Sequence, residues 1–135
     1  MPKDFYILGM NLLQGMEIKI SGSVLPAAKK FTFNLGKFEN NLDFHFKPPI
    51  HIRHLTSIIC CNSLENGLPG QEGKQAHFLF EPESKVEVVI TFEGNHFTVT
   101  LPDGFHFNFP NHLNLDKIDF LEITGDLDLS SVEFK

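Results

Sequence analysis

Apolar and polar residues alternate with a period of two along most of this chain. Met16, Ile18 and Ile20 are separated by Glu17 and Lys19, and Phe31, Phe33 and Leu35 by Thr32 and Asn34. Leu42, Phe44 and Phe46 are separated by Asp43 and His45. The same beat returns in Val86-Val88-Ile90-Phe92, Phe97-Val99-Leu101, Phe105-Phe107-Phe109 and Leu127-Leu129. Each run sends one row of side chains into a core and shows the other to water, as half-buried antiparallel strands do. Helical periodicity is nearly absent.

Turn residues separate the runs. Glu93-Gly94-Asn95 and Pro102-Asp103-Gly104 make two tight connections, which predicts a meander from Val86 to Pro110. Pro48, Pro49 and Pro82 lack the amide proton a ladder needs, so they belong at strand ends or edges. The stretch from Ser63 to Gln75 is rich in Gly and Pro and lacks clean alternation, so it reads as a surface loop. No repeat, linker or low-complexity block divides the chain. Many short strands at regular spacing predict an all-β fold, a jelly-roll β-sandwich of two antiparallel sheets in one domain over residues 1–135.

Composition narrows the partners. Fifteen Phe against one Tyr and no Trp places most aromatic rings in the core, because Phe has no polar tip to keep at a wet surface. A formal charge of −6 argues against general binding to nucleic-acid phosphates. The N-terminal residues lack the apolar core of a signal peptide, and no apolar run is long enough to span a membrane. Synthesis in the cytoplasm and no membrane insertion are therefore expected. Cys60 and Cys61 are neighbours, and a bond between them would be strained. They read as two reduced thiols, with an exposed thiol that joins chains on oxidation as the alternative.

Several runs together resemble the galectin family: Phe33-Asn34-Leu35-Gly36, Asn40-Asn41-Leu42, His45-Phe46 with Pro48, Cys61-Asn62-Ser63, Leu101-Pro102-Asp103-Gly104 and Phe109-Pro110-Asn111. The resemblance implies a single-domain sugar-binding protein with a groove across a concave sheet and glycans as partners. It also implies a homodimer through the terminal strands, and unconventional export to the extracellular space. Phe5, Tyr6, Ile7, Val132 and Phe134 could form that dimer seam, or could pack within one subunit.

The family's sugar-reading residues are only partly present. His45 matches the histidine that contacts the galactose 4-hydroxyl, Asn62 the asparagine at the 6-hydroxyl, and Glu72 the glutamate that accepts from hydroxyls. Lys47 stands where the family has an asparagine, a donor-only ammonium in place of an amide that gives and accepts. Pro49 replaces an arginine fork, and Pro69 replaces the tryptophan that stacks on the sugar. A shallow site with a Kd of roughly 1 mM is worth only ~4.1 kcal/mol, whereas each charged hydrogen bond contributes about 1.5–3. Weak or altered galactoside recognition follows. Arg53, with His51 and His54, lies beyond Pro49 and could supply a new fork, and Lys74 follows Glu72. A hexose of other stereochemistry, such as a mannose-type sugar, then becomes as plausible a ligand. The missing arginine and tryptophan also admit a relative that has lost sugar binding and serves a structural or protein-interaction role.

Other chemistry finds no support. The seven histidines lack metal-ligand spacing, so no metal is expected, and no cofactor. Glu72 is the single acid placed in the groove, where hydrolysis would need a facing pair. No enzyme is expected. Replacing Glu72 by Gln should abolish sugar binding with almost no change in melting temperature. Isothermal titration beside a thermal melt checks this, and unaltered affinity would place the ligand elsewhere.

Overall fold

The computed structural model describes residues 5–38, 40–48, 59–70, 73–75 and 80–135, with backbone only at 59, 60, 74 and 75. Among the described residues there are strands and no helix. They are β1 (Phe5–Leu12), β2 (Glu17–Val24), β3 (Phe31–Phe38), β4 (Asn41–Lys47), β5 (Ile59–Glu65) and β6 (Leu68–Pro69). Then follow β7 (Gly73–Gln75), β8 (Lys85–Phe92), β9 (His96–Thr100), β10 (His106–Pro110), β11 (Ile118–Gly125) and β12 (Leu127–Phe134).

They form two antiparallel sheets. One runs β1-β11-β3-β4-β5-β6, with β7 also paired to β5, and the other runs β10-β9-β8-β2-β12. The expected sandwich is what forms, and the meander from Val86 to Pro110 is β8-β9-β10. Its two turns close at Gly94 and Gly104, whose φ values of 93° and 91° suit a residue without a Cβ.

Phenylalanine joins the two sheets. Phe44 of β4 packs its ring 5.4 Å from Phe97 and 5.3 Å from Phe109 of the opposite sheet, and Phe46 lies 6.2 Å from Phe107. Ten of the fourteen Phe among the described residues are buried, so the aromatic set is mainly core, as composition predicts. Truncating one such ring to alanine costs about 3–5 kcal/mol in a packed core. Cys61 also faces this core, the interior side of β5.

Three expectations need correction. The stretch from Ser63 to Gln75 is not a plain loop: β5 continues to Glu65, turns at Asn66-Gly67, and returns as β6, with β7 following. Both turn residues have positive φ, 53° and 81°, the geometry an Asn-Gly hairpin favours. Thr32 and Asn34 were expected to face water, yet both are buried. Cross-strand polar partners cover them: the Thr32 and Thr124 hydroxyls bond at 2.5 Å, and Asn34 bonds Glu122. Asp43 was also expected on the wet face, yet it is 0% exposed. The β4–β5 register shifts between Leu42 and His45, and the chain at His112-Leu113 closes over the carboxylate.

Asp43 Oδ1 accepts the Leu113 amide at 3.0 Å, while Oδ2 makes no hydrogen bond among the described residues. Burial therefore pushes its pKa up from 3.8 to about 6, opposed by the Leu113 bond and by the nearby His112. A carboxyl with a raised folded-state pKa contributes stability that is full below pH 3.8 and is lost as pH rises through 6. The difference corresponds to about 3 kcal/mol. Wild type should therefore gain melting temperature relative to Asp43→Asn as pH falls from 7.5 to 5. Parallel pH profiles of the two proteins would refute the buried charge.

The terminal strands lie at edges, β1 on the larger sheet and β12 on the smaller. The acidic run Asp126-Leu127-Asp128-Leu129 thus marks a sheet edge, where charge discourages uncontrolled strand addition. Asp126 also accepts the Lys29 and Lys30 amides at 2.9 and 3.3 Å.

Candidate carbohydrate-binding groove

The sheet register builds one polar row across the outer face of the larger sheet. Glu122 of β11 pairs with Asn34 of β3, Asn34 with His45 of β4, and His45 with Asn62 of β5. Adjacent strands lie about 4.8 Å apart, so these side chains are near neighbours. Period two then sends their flanking residues, Phe33, Phe44, Phe46 and Cys61, to the core side.

Each polar group in the row has a defined role. Asn34 Nδ2 donates to Glu122 Oε1 at 2.9 Å, which turns Asn34 Oδ1 toward His45. That oxygen can only accept, so the His45 Nδ1 bonded to it carries the proton. Nε2 is left with a lone pair for a ligand hydroxyl. Asn62 does the converse. Its Oδ1 accepts the Ser63 amide at 2.8 Å, leaving Nδ2 free to donate. The groove thus offers an acceptor and a donor on adjacent strands, which suits a polyhydroxylated ligand.

Electrostatics keep the imidazole neutral. Burial lowers the His45 pKa from its ordinary 6.5, the charge of Lys47 lowers it further, and Glu122 opposes them. Lys47 is exposed at the end of β4 and lies level with Cys60 of β5, which in turn pairs with Lys74 of β7. Lys47 and Lys74 therefore flank the His45–Asn62 pair at backbone level. Pro69 is exposed on β6, the last strand of its sheet, where a missing amide proton is tolerated.

The sheet register gathers some of the residues singled out from the sequence. His45, Asn62 and Lys47 come together, and Lys74 joins them by register. Glu72, Arg53, His51 and Pro49 lie outside the described residues. Asn34 and Glu122, which join His45 through hydrogen bonds, were not among the residues singled out from the sequence. Their outward parity could be read from sequence, but their alignment with His45 could not. No group of three or more His, Cys, Asp or Glu suited to a metal occurs among the described residues. Among the same residues no helix is long and apolar enough to cross a membrane.

Comparison with known proteins bears on this groove. The pattern that defines galactoside-binding lectins matches residues 5–134. Galectin-1 of Sus scrofa is 43% identical over 126 residues, covering 93% of each chain. The solved structure of CG-16, a homodimeric agglutinin from chicken liver, superposes with a TM-score of 0.90 at 32% identity, over 98% of this chain and 100% of that one. A toad ovary galectin in complex with thio-digalactose has a TM-score of 0.90 at 27% identity, over 98% of each chain.

His45 should titrate below pH 6.5 in an NMR pH series, and Lys47→Gln should move its midpoint upward. A wild-type midpoint above 6.5 would contradict the buried, Lys47-flanked imidazole.

Proposed function

The chain belongs to the galactoside-binding lectin family, the galectins, and on that premise we propose that it binds galactose-bearing glycans weakly and crosslinks them as a homodimer. It is a carbohydrate-binding lectin and not an enzyme. The observation that carries the finer reading is the His45–Asn62 pair: an acceptor at Nε2 beside a donor at Nδ2, fixed on neighbouring strands. The toad galectin of the same fold holds thio-digalactose, which supports a galactoside as ligand here.

Weak affinity follows from the neighbours. Lys47 gives hydrogen bonds but accepts none, and Pro69 offers a saturated ring where the family stacks an indole. Against a total of roughly 4 kcal/mol for a millimolar site, losing an aromatic contact of about 0.5–1.5 kcal/mol is a large fraction. Lys74, level with Lys47, supports replacement donors on that side of the groove. Glu72 as acceptor, and Arg53 with His51 as a substitute fork, complete the proposed set. Their cationic donors widen tolerance for hydroxyl stereochemistry, which brings a mannose-type hexose within reach.

The dimer reading rests on the edges. Among the described residues β1 and β12 each leave one side unpaired, and Tyr6 and Phe134 are exposed there at 60% and 42%. The homodimeric chicken agglutinin of the same fold supports this seam. Two weak sites on one particle gain avidity without any new contact.

Titration with lactose and with mannose should give a Kd of about 1 mM or weaker for lactose. Phe134→Glu should convert the dimer to a monomer in sedimentation and abolish cell agglutination while leaving lactose affinity in place. Mannose bound more tightly than lactose would reverse the assigned preference, and no binding of either sugar would favour a structural role.

A further inference from the structure

Glu122 lies on β11, two strands away from His45, and no feature of the galactoside groove accounts for a carboxylate there. It borders a hollow of about 300 Å³ lined by Tyr6, Leu8, Phe38 and Phe120, a place where an apolar residue would pack as well. Its carboxylate is instead committed sideways, accepting the Asn34 amide at 2.9 Å. Asn34 is 6% exposed, so water does not compete freely for that amide. Its oxygen meets the His45 ring at Nδ1.

We propose that Glu122 is a positioning residue for sugar recognition: acting through Asn34, it holds His45 in the Nδ1–H tautomer and so keeps Nε2 as a hydrogen-bond acceptor. This rests on the lectin reading of the groove. An asparagine amide can turn over, presenting either its oxygen or its nitrogen to a neighbour. With nitrogen toward His45, the ring would have to accept at Nδ1 and carry its proton on Nε2. The groove would then present two donors, Nε2–H and Asn62 Nδ2, and would lose its acceptor. A carboxylate accepts and never donates when ionised, so Glu122 tolerates only the nitrogen of Asn34 on its side. That single preference is relayed to the histidine. Glu122 touches no ligand in this scheme; it decides which ligand atom His45 can engage.

The relay has a direct spectroscopic signature, because protonated and unprotonated ring nitrogens differ widely in nitrogen chemical shift. Long-range ¹H–¹⁵N spectra of the sugar-free wild type at pH 7.5 should show His45 Nδ1 protonated and Nε2 unprotonated. Glu122→Leu should turn this into a mixture of tautomers and weaken lactose binding roughly two- to tenfold, the range of one neutral hydrogen bond. Glu122→Gln, an isosteric amide that can donate as well as accept, should likewise mix the tautomers and weaken lactose binding, which separates the carboxylate's one-sided preference from simple packing. A wild-type His45 protonated at Nε2 would overturn the relay outright, even if the leucine variant failed to fold. Unchanged tautomer in a folded Glu122→Leu protein would do the same, and a tautomer shift without loss of affinity would break the link to recognition. If the wild type bound no lactose, the lectin reading would fail, and the ring-nitrogen shifts would still judge the relay.

Discussion

The structure depends on a strict division of labour between the two faces of one sheet. On β3, β4 and β5, Phe33, Phe44, Phe46 and Cys61 turn inward, and Asn34, His45 and Asn62 turn outward. The inward rings meet Phe97, Phe107 and Phe109 of the opposite sheet and lock the register. A one-residue slip would exchange the faces, burying a row of polar groups and exposing the aromatic core. The energy that holds the core together is therefore also what aligns the groove.

That alignment explains why a shallow surface can still recognise a small ligand. The outward groups are not free rotors on a wet face. His45 is held by Asn34, Asn34 by Glu122, and Asn62 by the Ser63 amide; His45 and Asn62 each spend one hydrogen-bonding atom on the protein and leave one for a ligand. Preorganisation of this kind reduces the ordering cost of binding, which matters when the total interaction is only a few kcal/mol. The proposed weakness of the site lies elsewhere, in the proline and lysine that stand where the family keeps an aromatic surface and an amide.

Asp43 is the exception to the pattern. It occupies an outward position by alternation, two residues before His45, yet the shift in register and the chain at Leu113 enclose it. Its charge is held by the Leu113 amide and by neighbouring His112, and burial outweighs both in raising its pKa. The sandwich thus carries a destabilised carboxyl on its binding strand, offset by the aromatic core underneath.

Alternation alone was enough to predict two antiparallel sheets, the meander of β8, β9 and β10, and a phenylalanine core, because side-chain parity on a strand is a local property. The quoted motifs likewise singled out His45 and Asn62, and the missing arginine and tryptophan. The Asn66-Gly67 hairpin was legible too, since that dipeptide favours two consecutive positive φ values, but glycine and proline content around it read as loop. Glu122 and Asn34 were not legible as partners of His45: they are 88 and 11 residues from their hydrogen-bonded neighbours in sequence, and strand order decides who stands beside whom. The burial of Asp43 was equally hidden, because it arises from a segment 70 residues away folding over it. Local chemistry sets which face a residue takes; only long-range packing chooses its company there.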